Sequence, residues 1–312
     1  MPKIIKTKFN TRFYEKISEK LNNDQLVILP TETVYGLAGN GLSLRAIKSI
    51  YQIKNRPIKK KLILHCNSIA MVQKYFELDQ DNLIVAKKYW PGPLTLILRK
   101  KSKSIPNILT QKQYCAVRIP SNKFLLNIIK TINKPLVMPS ANKFKQLSPV
   151  TAKMAYQNFE TSDLTIIDDG KCTIGIESTM FKVINKKIEV IRYGLIDVFE
   201  VMGILKNFKL KKVNNEYFPG TSNKHYSPVK ELYINQKKII KKSAFIGFGN
   251  IKKNEFKNLS SKKNLREAAS RLYYYFYLAD NNDSFETISV APIPNEGIGI
   301  AINDRLERAS KK

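Results

Sequence analysis

Short apolar runs bounded by turn residues alternate with stretches whose apolar residues recur at helical spacing, from residue 12 to about residue 204. The runs predict strands at residues 26–29, 62–65, 95–99, 116–119, 136–138, 165–167, 179–183 and 187–191. Between the first two, Leu44, Ile47, Ile50 and Tyr51 make one helical stripe, with Ser43 placed to cap it. That helix has to end near Arg56, because Pro57 disfavours helical geometry in the residue before it. Strands alternating with helices predict an α/β layer structure rather than a bundle or a sandwich.

The rhythm breaks over residues 206–228, a Lys-rich stretch of little periodicity that carries Phe218-Pro219-Gly220 and closes on His225-Tyr226-Ser227-Pro228. By composition it is a linker. A smaller α/β unit follows, with strands expected at residues 230–234, 244–247 and 287–291 and a helix carrying Leu265, Ala268, Ala269, Leu272, Tyr273 and Phe276. The expected division is therefore residues 1–205, a linker at 206–228, and residues 229–312. Gly247-Phe248-Gly249-Asn250 is similar to a nucleotide-binding glycine turn, but the full GxGxxG and its ribose acid are missing, so it reads as a plain turn.

Composition changes this picture in two ways. With 54 Lys+Arg against 25 Asp+Glu, the net charge of +29 points toward polyanionic partners such as nucleotides or nucleic acid. The lysines are scattered rather than gathered in a tail, so solvated faces account for the excess equally well. Cys66, Cys115 and Cys172 are odd in number, far apart and free of CxxC spacing, which supports neither a disulfide framework nor a zinc site. No apolar run approaches the roughly 18 residues of a membrane span, and the first residues lack an apolar signal core. A cytoplasmic protein without a membrane partner is expected. No P-loop is present, and no closely spaced carboxylate pair suggests glycoside or metal hydrolysis chemistry.

Candidate chemistry gathers first in residues 30–65. An apolar run ends at Pro30 and leads into Thr31-Glu32-Thr33-Val34-Tyr35-Gly36-Leu37, then the helical stripe, then Lys54-Asn55-Arg56-Pro57 and, nine residues after Arg56, His65. Threonine hydroxyls and turn amides suit a small polar ligand, while the guanidinium fork suits phosphate or carboxylate. Further polar residues fall at predicted strand ends, where open α/β sheets bind ligands: Arg118, Ser140-Ala141-Asn142, Glu177-Ser178-Thr179 and Arg192. Each alone is commonly a cap or a surface ion pair. Together they define a motif set: PTETVYGL, KNRP followed by LILH, WPGPLTLIL, VRIPSN, PSAN, GIEST, PGTSNKHYSP and EGIGIAINDRLERA.

This set resembles the threonylcarbamoyl-AMP synthases, specifically the long form, from about Gln25 to the C-terminus. The resemblance implies a YrdC-type twisted open mixed sheet with helices, followed by a smaller Rossmann-like α/β domain. It implies a nucleotidyltransferase that condenses L-threonine, bicarbonate or carbon dioxide, and ATP into threonylcarbamoyl-adenylate and pyrophosphate, with tRNA and downstream threonylcarbamoyl-transferase proteins as partners. By matching positions, it implies that Lys54, Arg56, Lys60, Tyr114, Ser140, Ser148, Arg192 and Tyr226 hold ATP. Thr31, His65, Arg118, Ser178 and the backbone at Met138 would surround threonine, with Arg118 on its carboxylate. Tyr226 would act within a linker that folds back over the site. Magnesium is expected with ATP, although no carboxylate cluster marks its ligands.

Arg56 and Arg192 are expected to act electrostatically, His65 to orient rather than transfer protons, and no general base is assigned. The chain departs from the family pattern at Phe144-Lys145-Gln146, where Ser-Gly is usual after the Ser-Ala-Asn triplet. It departs again at Arg192-Tyr193-Gly194, usually Arg-Pro-Gly, and at Lys60-Lys61, usually Asn-Pro. The first two put bulk into turns, and the third puts a cation beside the expected phosphates. The rival reading is a basic RNA-binding protein without this activity, but neither an RRM aromatic pair nor a KH GxxG loop is recognisable. A carbamoyl-transfer maturation factor sharing the YrdC-type domain would need zinc-finger and acylphosphatase modules that are not seen.

Overall fold

In the computed structural model, residues 1–213, 217–220, 225–250 and 253–311 are described. The first unit is built on one mixed sheet. Its strands in chain order are β1 (Lys3–Lys6), β2 (Val27–Leu29), β3 (Gly36–Asn40), β4 (Ile63–His65), β5 (Leu94–Arg99), β6 (Tyr114–Arg118), β7 (Leu136–Val137), β8 (Thr165–Asp168), β9 (Thr179–Ile184), β10 (Lys187–Arg192) and β11 (Lys209–Lys212). They lie in the order β1-β8-β2-β3-β7-β4-β6-β5-β9-β10-β11. Parallel pairs such as β4 with β6 sit beside antiparallel ones such as β5 with β6, which gives the expected mixed sheet.

The central strands are buried on both faces, which is why they read as unbroken apolar runs. Three strands escaped that reading. β1 is short and mostly exposed, β3 is the weakly β-forming Gly-Leu-Ala-Gly-Asn, and β11 lies inside the expected linker. Residues 209–212 of the expected linker thus form a strand of the first unit's sheet. Lys209–Lys212 pairs in parallel with β10, setting Leu210 beside Ile188 with exposed lysines around it, as suits a charged edge strand. Residues 214–216 and 221–224 of the same segment lie outside the described residues.

The helix Leu44–Ile53 is capped by Ser43, whose hydroxyl accepts from the Ala46 amide, and it buries Ala46, Ile47, Ile50 and Tyr51. Its end is a Schellman turn. Asn55 takes a left-handed φ of 49°, its amide donates to the Gln52 carbonyl, and the Arg56 amide donates to the Tyr51 carbonyl. That turn sets the directions in which Lys54 and Arg56 leave the helix.

The second unit has four parallel strands, β12 (Glu231–Tyr233), β13 (Ser243–Gly247), β14 (Lys257–Asn258) and β15 (Thr287–Val290), in the order β12-β15-β13-β14. Helices Leu265–Asp280 and Ile298–Ala309 accompany them. One apolar core runs through both units and includes Tyr226, Leu232, Leu272 and Tyr273. At the seam, Gly175 has a φ of 78°, and a Cβ there would come within 2.6 Å of the Ser270 Cα. Only glycine lets the helix Leu265–Asp280 approach so closely. Among the described residues no helix is long and apolar enough to cross a membrane, and the three cysteines are buried and free.

Candidate active site

One cavity sits where several strand ends converge. β4 and β6 run parallel with His65 opposite Arg118, so these two side chains emerge together. Met138 and Ser140 follow β7, Ser178 precedes β9, and Arg192 closes β10 just after an irregularity in its pairing. The turn after β2 supplies Thr31, whose hydroxyl accepts from the Thr33 and Val34 amides and donates to the Val34 carbonyl at 2.7 Å. This is why a hydroxyl residue follows Pro30: it closes the turn on itself. The Schellman turn contributes Arg56.

The cations are held in place by backbone oxygens and hydroxyls. Arg56 donates through Nε to the Lys60 carbonyl at 2.9 Å and through Nη2 to the Lys61 carbonyl at 3.1 Å. Burial lowers its pKa to about 10, and nearby Arg192 works in the same direction. Arg192 donates to the Ser178 carbonyl at 3.0 Å and to the Ser178 hydroxyl at 2.9 Å. Lys54 is buried and does not face the cavity. Its Nζ donates to the carbonyls of Ser140 and Asn142, and burial, with Arg56 and Lys143 nearby, holds its pKa well below the usual lysine range. It braces the loop that presents Ser140.

Arg118 is gripped on three sides. Nη2 pairs with Glu32 Oε1 at 2.7 Å, Nη1 donates to the Thr33 hydroxyl at 2.9 Å, and Nε donates to the Gly92 carbonyl at 3.2 Å. Such a guanidinium is preorganised, with N–H groups left for a further acceptor. Burial and the adjacent Arg118 bring the His65 pKa down to about 3, so its imidazole is neutral at neutral pH.

The roof comes from the segment between the units: Pro219, Gly220, His225 and Tyr226. Gly220 has a φ of 84°, and a Cβ there would meet the Tyr226 hydroxyl at 2.5 Å and Arg192 Cδ at 2.6 Å, so the roof lies directly on the cationic wall. The unusual Phe144-Lys145-Gln146 stretch receives this roof. The Arg56 guanidinium lies 5.6 Å from the Phe144 ring centre, His225 meets the same ring edge-on, and the Ser227 amide donates to the Lys145 carbonyl.

Of the residues marked by sequence, Thr31, Arg56, His65, Arg118, Met138, Ser140, Ser178, Arg192 and Tyr226 line this cavity. Lys54, Lys60 and Ser148 stand behind its wall, Ser148 donating to Glu177 Oε1 at 2.6 Å. Tyr114 is elsewhere. It lines a larger neighbouring cavity of about 540 Å³ with Lys182, whose ammonium sits 3.5 Å from the Tyr114 ring centre, and Tyr217 and Phe218 of the roof segment. Glu32, Glu177, Tyr273 and Arg305 were not marked as site residues. Glu177 and Arg305 lie inside recognised motifs, but nothing local shows that one meets the other.

The domain family described as "Telomere recombination", that of the Sua5, YciO and YrdC proteins, matches residues 19–194. The family described as "Threonylcarbamoyl-AMP synthase, C-terminal domain" matches residues 186–311. The threonylcarbamoyl-AMP synthase of Pyrococcus abyssi is 30% identical over 315 residues, 93% of this chain and 92% of that protein. The chain belongs to the threonylcarbamoyl-AMP synthase family. The enzyme of the same name from Bacillus subtilis is 27% identical over 93% of this chain and 90% of its own length, so the long two-unit form is shared. The crystal structure of P. abyssi Sua5 complexed with L-threonine superposes with a TM-score of 0.88 at 26% identity, covering 99% of this chain and 97% of that one.

Proposed function

We propose that this threonylcarbamoyl-AMP synthase family member condenses L-threonine, bicarbonate or carbon dioxide, and ATP into threonylcarbamoyl-adenylate with release of pyrophosphate, for the threonylcarbamoyladenosine modification of tRNA beside the anticodon. The observation that carries the assignment of roles is that three buried arginines, Arg56, Arg118 and Arg192, face one cavity beside hydroxyls and a neutral histidine. Arg118, fixed by Glu32 and Thr33, takes the threonine carboxylate, with Thr31, His65, Ser178 and the backbone at Met138 around the rest of the amino acid. Arg56 and Arg192 take the phosphates, supported by Ser140, Ser148, Lys54 and Lys60, and Tyr114 contacts the nucleotide from the adjoining cavity.

Attack of the N-carboxy-threonine oxygen on the α-phosphorus builds negative charge on the transferring phosphate and on departing pyrophosphate. Cations already fixed in a dry wall stabilise that charge without reorganising. His65, neutral, serves as a hydrogen-bonding orienter, and no general base is assigned. Among the described residues no group of three or more His, Cys, Asp or Glu could hold a metal ion. Magnesium entering with ATP would need no such cluster, because this ion is commonly carried by phosphate oxygens and water with at most one or two carboxylates.

The free volume under the roof is about 50 Å³, against roughly 300–1,000 Å³ for small-molecule sites. The roof residues Pro219, Gly220, His225 and Tyr226 would therefore have to lift for ATP and close over it, with Tyr226 against the nucleotide. The test is pyrophosphate release by the full chain with threonine and bicarbonate omitted in turn. Release that persists unchanged without threonine would refute the activity.

A further inference from the structure

Glu177 is the carboxylate that lines the same cavity as Arg56 and Arg192, and it is buried. A free negative charge there would oppose the binding of an anion. Two of its partners come from the other end of the chain. Arg305, 0% exposed, donates through Nε to Glu177 Oε2 at 3.1 Å, and the Tyr273 hydroxyl donates to the same oxygen at 3.0 Å. Both residues also reach the roof. The Arg305 guanidinium lies 5.1 Å from the Tyr226 ring centre, and the Tyr273 ring stacks on Tyr226 at 5.9 Å and 24°. The other Arg305 nitrogens are anchored on Asp304 at 2.9 Å and on the Tyr193 carbonyl at 2.8 Å.

A buried ion pair is an expensive way to hold two domains together, since desolvation offsets much of the attraction and apolar contacts do the same task more cheaply. What this pair adds is charge and position at one spot in the pocket wall. The other Glu177 oxygen, Oε1, receives the Ser148 hydroxyl. We propose that Arg305 and Tyr273 of the C-terminal domain are positioning residues for the nucleotide pocket: they neutralise and orient Glu177 and brace Tyr226, so that the second domain completes the ATP-binding wall of the first. The inference rests on the assignment of this cavity to ATP.

The test uses full-length protein and measures ATP affinity, L-threonine affinity, pyrophosphate release and thermal unfolding for Tyr273→Phe, Arg305→Met, Glu177→Gln, the double variant Arg305→Met/Glu177→Gln, and Arg192→Ala. Tyr273→Phe loses one hydrogen bond to a charged group and is expected to weaken ATP about tenfold, with threonine affinity within about twofold of wild type. Arg305→Met exposes the carboxylate to the anion and is expected to weaken ATP about a hundredfold. Adding Glu177→Gln removes that charge and should restore ATP affinity at least about tenfold, a rescue that general loosening of the domain seam would not give. If Arg305→Met does not fold, Tyr273→Phe still decides the question. A folded Tyr273→Phe variant with wild-type ATP affinity or with equal losses for both substrates, or a folded double variant that binds ATP no better than Arg305→Met, would overturn the inference while Arg192→Ala still weakens ATP binding. Undiminished ATP binding in Arg192→Ala would instead overturn the assignment of the cavity.

Discussion

Acidifying this protein from pH 7 to pH 5 should destabilise it before its carboxylates begin to protonate, because both of its histidines are buried and uncharged. The chain has only two, His65 and His225, and both line the cavity. Burial and then the charge of Arg118 bring His65 from 6.5 to about 3. Burial, then Arg56, Arg192, Lys54 and Arg305, holds His225 well below its ordinary value. A folded pKa below the unfolded one means that, between the two, the unfolded chain binds more protons than the native one. Stability is therefore complete above about pH 6.5 and falls as the pH drops below it. Each histidine contributes a slope of at most about 1.4 kcal/mol per pH unit, so together they reach about 2.7 kcal/mol per unit, against a typical total of about 5–15 kcal/mol. The carboxylates act lower. Asp304, whose burial is outweighed by Arg305 and Arg308, adds a loss only around and below its ordinary 3.8, and Asp280, raised by burial, works the other way. The assay is urea unfolding at several pH values between 7.5 and 5, with proton NMR of the two imidazoles in the native protein. The native rings should not titrate in that range. Flat stability from pH 7 to pH 5, or native titration near pH 6.5, would refute the reasoning.

Arg56→Ala and Arg192→Ala should each lower pyrophosphate release about a hundredfold or more, the roughly 2.7–4 kcal/mol of one preorganised contact, with circular dichroism unchanged; near-normal turnover in both would sink the electrostatic role. Arg118→Lys should weaken threonine much more than ATP when each is titrated separately, because an ammonium cannot reproduce the fork that meets Glu32, Thr33 and a carboxylate at once; equal weakening of both would move Arg118 out of the threonine pocket. Tyr226→Ala, and more strongly a Gly/Ser replacement of residues 219–228, should slow product formation and remove ATP-dependent protection of the linker from protease; wild-type rates with no added protection in the native linker would make the segment a tether only.

Local signals carried much of this molecule. The capped helix Leu44–Ile53, its end before Pro57, the buried strands and the second α/β unit were legible because caps, proline sterics and apolar spacing act within a few residues. The motif order also placed most cavity-lining side chains at strand ends. β3 was missed because glycine and alanine carry little strand signal, and its strand state comes from antiparallel pairing with β2 and β7. β11 was missed because a stretch with three lysines in four residues looks like linker until a neighbouring strand offers Ile188 to Leu210.

Other features exist only in the folded chain. Sequence spacing says nothing of the pairing that puts His65 beside Arg118, the inward turn of Lys54 onto two carbonyls, the separate cavity of Tyr114, or the grip of Arg305 on Glu177. A buried charge is tolerable only where partners far along the chain meet it, so whether a given Arg, Lys or Glu is surface, brace or ligand is set by packing. The sequence by itself determined the elements and the chemistry available to them. Tertiary structure decided which charges face the ligand and which face one another, because electrostatic partnership depends on distance in space and on exclusion of water, and neither is written in the spacing of residues.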